Sequence, residues 1–197
     1  IVLLNDSFAT IVKAIEWGRG IYQNFQRFIQ FQLTVNLSSV IIVLSAVIMG
    51  FTAPFSALQL LWVNLIMDGP PALTLGLEPI SKNLLKQKPI QRNANIITKN
   101  MLSLIIINGI FIAFMCLLQY FTNFLGAKEE EKTSVLFTLF VVFQLFNAFN
   151  ARELNNQSIF KNFASNHLML GVFIITFALQ VLIVEFGGEA FQTTPLS

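Results

Sequence analysis

The sequence predicts an all-α protein, a polytopic membrane helical bundle of five transmembrane helices with a cytoplasmic stalk helix in front of it. Three observations lead there. Hydrophobic residues make up 55% of the 197 and Asp, Glu, Lys and Arg only 11%, where soluble domains carry about 25% charged residues. Five stretches reach the length of about 20 apolar residues that a helix needs to cross the hydrocarbon core. Of all the charged side chains, only Asp68 falls inside any of the five. A bilayer imposes that segregation, because a charge at its centre costs about 2.5–3.5 kcal/mol on insertion scales. The same composition excludes a soluble globular domain, a disordered tail and a nucleic-acid binder with a basic face.

Residues Phe8–Arg27 place apolar side chains at 8, 11, 12, 15, 21, 25 and 28 with polar residues between them. This amphipathic helical pattern runs into the first span with no proline break, so it predicts a stalk rising from the membrane rather than a helix lying flat on it. The spans follow at Phe28–Met49, Ala57–Leu77, Met101–Leu125, Thr133–Asn150 and Leu168–Val184. Between the second and third, Glu78–Lys99 holds Pro79 and Pro89 and no apolar period, which reads as an ordered connector. Basic residues cluster before the first span, in that connector, and at Arg152 and Lys161 after the fourth span. The opposite side has only Lys128 and Lys132, next to Glu129, Glu130 and Glu131. Lys and Arg are retained on the cytoplasmic side, so the start is expected inside and the end outside. Opening on Ile1, without a signal peptide, and closing beyond a fifth span, the chain is expected to be a piece of a longer one with a sixth span to follow.

The second span is the informative one. Asn64 and Asp68 are four apart, so a regular helix points both side chains the same way. Asp68 is followed by Gly69, Pro70 and Pro71. The prolines have no N–H, so the carbonyls of Ile66 and Met67 lose their donors and the helix is expected to break after Asp68. Inside a membrane such breaks are tolerated where they line a cavity or an ion path. A carboxylate, an amide and freed carbonyls are hard oxygen ligands that suit Ca²⁺ best, then Na⁺ or Mn²⁺. The plainer alternative is a proline kink with an Asp hydrogen-bonded to a neighbouring helix; the coincidence of charge, amide and break at one depth favours the cation site.

Other polar residues at membrane depth are Thr34, Asn36, Ser38 and Ser39 on the first span, with Asn36 and Ser39 on one face, and Gln144 with Asn147 on the fourth. Taken alone, such groups are more often contacts between helices. Asn108, Gln119, Thr176 and Gln180 read as packing contacts, His167 as structural, and Cys116 as a thiol with no disulfide partner. No phosphate-binding glycine loop, catalytic triad or His/Cys metal motif is present, so nothing in these residues hydrolyses a nucleotide.

The run from Asn64 through Asp68-Gly69-Pro70-Pro71-Ala72 to Gly76-Leu77-Glu78-Pro79 resembles the sixth transmembrane helix of P-type Ca²⁺-ATPases. Residues Leu3–Val12 are similar to the hinge and stalk that follow those pumps' phosphorylation domain. Phe28–Asn36 resembles the fifth helix of the plasma-membrane-type pumps, Gln144–Arg152 their eighth, and Val184–Gly188 with Pro195-Leu196-Ser197 the end of their ninth. The resemblance covers nearly the whole chain in order. It implies a hinge and stalk over 1–27 and, over 28–197, a transmembrane domain equivalent to helices five to nine of ten.

The same resemblance assigns roles. Asn64 and Asp68 match the sixth-helix Ca²⁺ ligands, and Asn36 a fifth-helix residue lining the ion cavity. Ser39 and Gln144 stand where two-site reticulum-type pumps carry acids, which implies one Ca²⁺ per cycle, with proton counter-transport. Asp-Gly-Pro-Pro is closer to the secretory-pathway Ca²⁺/Mn²⁺ pumps, yet Leu73 stands where those carry Gln, which counts against Mn²⁺. ATP and Mg²⁺ belong to cytoplasmic domains outside this chain, so this part alone is expected to be inactive. Its expected partners are the lipid bilayer and the remaining helices and cytoplasmic domains of the same parent chain, with no nucleic acid. The expected location is the plasma membrane. The competing readings are a secondary cation transporter, a non-catalytic membrane subunit, and a pump for Na⁺, K⁺ or H⁺.

Overall fold

The computed structural model describes residues 7–80, 84–91, 93–152, 154 and 166–196. Residues 1–6 of the predicted hinge and stalk over 1–27, and the predicted loop cations Lys82, Arg92 and Lys161, lie outside the described residues. Among the described residues the regular structure is entirely helical: α1 Phe8–Ile48, α2 Ala57–Trp62, α3 Gly69–Gly76, α4 Lys99–Thr122, α5 Lys132–Ala151, α6 His167–Phe186 and α7 Gly188–Phe191. A π-helical turn, Val63–Met67, joins α2 to α3, and a 3₁₀ turn, Leu84–Lys86, lies between α3 and α4.

Among the described residues four helices, α1, α4, α5 and α6, are long and apolar enough to cross a membrane. The stretch predicted as the second span is instead assembled from α2, the π turn and α3, none of which reaches that length alone. The other helix ends are set by local chemistry. Thr98 caps α4 by accepting from the Met101 N–H at 3.2 Å, and Asn166 caps α6 by accepting from the Met169 N–H at 2.9 Å. Ser56 and Gln59 exchange side-chain and backbone bonds at the start of α2, a capping box that satisfies two otherwise orphaned donors.

At 41 residues, α1 is about 60 Å long at 1.5 Å per residue, roughly twice the hydrocarbon thickness. It passes through the predicted junction at residue 28 without interruption. It packs along α4 and also meets α3 and α5, while α5 and α3 both contact α6. Gly109 permits the approach of α4 to α1, since a Cβ there would stand 2.9 Å from Leu37 Cδ2. Small residues serve helix contact in this way in membranes. Two apolar clusters fill the interior. One centres on Ile42, Met67, Cys116, Phe137 and Phe140, and the other on Phe31, Leu75, Ala148 and Met169.

The first half of α1 reverses the expected amphipathic reading. Its apolar residues Phe8, Ile11, Ile15, Trp17, Ile21 and Phe25 are exposed, whereas Gly20, Asn24 and Gln26 are buried. The segment they cover is irregular backbone, whose carbonyls call for donors rather than for methyl groups. Arg19 accordingly donates to the carbonyls of Leu84 at 2.7 Å and Gln87 at 2.9 Å, and Gln26 to that of Ile96 at 2.8 Å. Gly20 lets this segment come close, because a Cβ at that position would lie 2.6 Å from Ile80 Cγ1.

Candidate cation site in a broken helix

Asp68 stands at the exit of the π turn and the entrance of α3. Its N–H donates to the carbonyl of Val63 at 2.8 Å, five residues back, the widened bond of a π turn. Gly69, Pro70 and Pro71 then open α3. The break therefore falls upstream of the prolines rather than on them. The reason is that a proline in the first helical turn gives up an N–H that has no intrahelical acceptor there, and its fixed φ already suits the helix.

The carboxylate of Asp68 is fully buried, at 0% exposure, and neither of its oxygens has a hydrogen-bond partner among the described residues. A buried ionised carboxylate without a partner is costly, so this position calls for a bound cation or a proton. Gln144 is also fully buried. Its Nε2 donates to Ser38 Oγ at 3.2 Å, and its Oε1 has no partner among the described residues. The Ser38 hydroxyl donates in turn to the Val35 carbonyl at 2.8 Å. Helix α5, which carries Gln144, packs against the π turn as well as against α1. Buried and unpartnered oxygens thus occur on the broken helix and on α5, beside a hydroxyl from α1.

The remaining predicted residues are placed differently. Asn64 and Asn36 are exposed and Ser39 is half-buried, its hydroxyl donating to the Asn36 carbonyl at 3.0 Å. The spacing from Asn64 to Asp68 spans the π turn and its exit, and the two side chains do not share burial. On α1 the interior face carries Gln30, Thr34 and Ser38, at four-residue intervals. That interval is the signal pointing to Ser38 rather than Ser39 as the inward hydroxyl. Asn147, one turn after Gln144, is buried with its Nδ2 unpartnered among the described residues. No group of three His, Cys, Asp or Glu side chains able to hold a metal occurs among the described residues.

A family model described as "Cation transporting ATPase, C-terminus" matches residues 52–197. The chain belongs to the cation-transporting ATPase C-terminal family. Along its whole length it is 41% identical to calcium-transporting ATPase 8, plasma membrane-type, of Arabidopsis thaliana, and 41% identical to calcium-transporting ATPase 5, plasma membrane-type, of Oryza sativa subsp. japonica. Identity is 36%, again over the whole chain, with plasma membrane calcium-transporting ATPase 2 of Oreochromis mossambicus. The chain spans 19% of the length of each of these relatives. The family's matched region takes in Asn64, Asp68 and Gln144, while Asn36 and Ser39 lie on the part of α1 that the whole-chain likenesses add.

Proposed function

We infer that this chain is the ion-binding membrane part of an ATP-driven pump that exports Ca²⁺ from the cytoplasm across the plasma membrane. The observation that carries the reading is the fully buried, unpartnered carboxylate of Asp68 at a break in a helix, in a chain similar throughout to plasma-membrane-type calcium ATPases. The broken segment α2–π–α3 is read as a fifth crossing. The first half of α1 is read as a cytoplasmic stalk, and its bonds to the connector support this reading. In the parent, cytoplasmic domains bind ATP and Mg²⁺ and take up the phosphoryl group.

Ca²⁺ is the cargo. Asp68 supplies the charge and Gln144 a neutral oxygen beside the Ser38 hydroxyl, while Asn36, Asn64 and the half-buried Ser39 border the cavity where the parent's other helices complete the shell. One carboxylate from this chain and one from the parent neutralise a single divalent ion, which supports one Ca²⁺ per cycle. On release, Asp68 takes up a proton, because an empty apolar cavity disfavours the charge; that proton is the counter-ion. Asp-Gly-Pro-Pro leaves Mn²⁺ as a second cargo to test.

The test is phosphoenzyme formation from ATP in the full-length parent, wild type against Asp68→Asn, with Ca²⁺ or Mn²⁺ supplied. Phosphoenzyme that forms only with Ca²⁺ and is lost in the variant is the expected result. A parent that forms no phosphoenzyme overturns the reading in favour of a secondary transporter.

A further inference from the structure

At the far end of α3 from Asp68, a second buried polar cluster ties four helices together. Glu78 accepts from Arg152 Nε at 3.0 Å and from Arg152 Nη2, and from Asn166 Nδ2 at 2.7 Å. Glu78 is 9% exposed, and Arg152 and Asn166 are 5% exposed. Asn166 Nδ2 also reaches the Thr74 carbonyl at 3.3 Å. From α1, Asn24 Nδ2 donates to the carbonyls of Gly76 at 3.1 Å and Glu78 at 2.9 Å. One turn on, Arg27 Nε donates to the Arg152 carbonyl at 2.7 Å, and Arg27 Nη1 to Asn24 Oδ1. The C-terminal ends of α3 and α5, the start of α6 and the middle of α1 are therefore one bonded unit.

Stability alone is a weak reason for such a cluster, since replacing a buried ion pair with well-packed apolar groups is often neutral or stabilising. What these bonds specify is position. Both lone-pair-bearing oxygens of Glu78 are engaged by two different helices, and its backbone carbonyl by a third. Glu78 and Asp68 are ten residues apart with the eight residues of α3 between them, a separation of about 15 Å at helical rise. On the other side of Asp68 the chain passes through the π turn Val63–Met67, which interrupts the regular helical hydrogen bonding of the segment.

We propose that Glu78 is a positioning residue for the ion site. Held by Arg152 and Asn166 and by Asn24 of α1, it makes α3 move with α1, so that displacement of the stalk reaches Asp68 along α3 while the π turn flexes. This proposal rests on reading the chain as the ion-binding part of a Ca²⁺ pump.

The test uses the full-length parent with two readouts. The first is the Ca²⁺ concentration giving half-maximal phosphoenzyme from ATP. The second is phosphoenzyme formed from inorganic phosphate without Ca²⁺, which reports an intact phosphorylation domain independently of ion binding. Glu78→Gln keeps the shape of the side chain and removes the ion pair. Its half-maximal Ca²⁺ concentration is expected to rise about tenfold, within the range that coupling residues away from a ligand produce, while phosphorylation by inorganic phosphate holds at wild-type level. Asn166→Ala, which leaves the ion pair in place, shifts it in the same direction by less, and Glu78→Asp restores part of the affinity. Unchanged Ca²⁺ dependence in Glu78→Gln overturns the proposal. So does a parallel loss of both readouts in Glu78→Gln and Asn166→Ala, the signature of a merely structural role. If Glu78→Gln does not accumulate, Asn166→Ala alone decides between these outcomes. A wild-type parent without Ca²⁺-dependent phosphoenzyme overturns the pump reading, and this inference with it. A Ca²⁺-dependent wild type with unshifted variants overturns the inference alone.

Discussion

Gln144 on α5 donates its amide N–H to the hydroxyl of Ser38 on α1, 3.2 Å away and 106 residues distant in the chain. The bond leaves the amide oxygen of Gln144 unengaged among the described residues, so one side chain both links two helices and presents an acceptor. Ser38→Ala should leave the Gln144 N–H buried without its acceptor, at a cost of about 1–3 kcal/mol. Thermal unfolding of the full-length parent measures that cost. Gln144→Leu removes donor and acceptor together and should cost less stability while lowering apparent Ca²⁺ affinity. Equal Ca²⁺ affinity in wild type and Gln144→Leu would remove Gln144 from the cavity.

Asp68→Asn should leave the stability of the Ca²⁺-free protein close to that of wild type. The substitution keeps the shape of the side chain, and since Asp68 takes up a proton when the ion leaves, both forms bury a neutral polar group without a partner among the described residues. Added Ca²⁺, which stabilises wild type by binding the folded state, should leave the melting temperature of the variant where it was. Melting curves with and without Ca²⁺ decide this.

Arg19 contributes two of the hydrogen bonds by which α1 holds the main-chain carbonyls of the connector. Arg19→Met should therefore impair coupling between phosphorylation and transport, since hydrogen bonds to a charged donor are worth about 1.5–3 kcal/mol. Lys86→Glu and Lys88→Glu, at exposed positions, should stay within about 0.5 kcal/mol of wild type. Ca²⁺ transported per ATP hydrolysed is the quantity to compare across the three variants.

Gly20→Val should push the connector away from α1, because the added Cβ alone would already stand closer to Ile80 than the sum of their van der Waals radii. Overpacking of this kind costs about 1–3 kcal/mol. Ile80→Ala in the same chain should recover part of the loss, and a double-mutant cycle on unfolding measures how much.

The long helices were legible because exclusion of charge from hydrocarbon acts on composition directly. The predicted stretches at 101–125, 133–150 and 168–184 correspond to helices Lys99–Thr122, Lys132–Ala151 and His167–Phe186. The break beside Asp68 was legible from Gly69, Pro70 and Pro71, but its location was not, because the same prolines that end one helix are well suited to begin another. The burial of Asn24 and Gln26 and the exposure of Phe8 and Trp17 invert what periodicity implies. An apolar stripe faces inward only when its partner is apolar, and here the partner is bare backbone. The pairing of Glu78 with Arg152 joins residues 74 apart, each of which looks like an ordinary loop charge in isolation. The roles of Asn36, Ser39 and Asn64 depend on surfaces that this chain leaves open.

The unbroken length of α1 has a mechanical consequence. Its close approach to α4 at Leu37 and Gly109 lies well off centre, so the helix is a rod with unequal arms. From Leu37 to Phe8 the arm is about 44 Å, and to Ile48 about 17 Å, at 1.5 Å per residue. A helix of that length without a break can carry a displacement from one arm to the other as a single rigid element, an advantage over jointed segments. A kink anywhere along the rod would dissipate that advantage, which gives a physical reason for 41 residues without a proline.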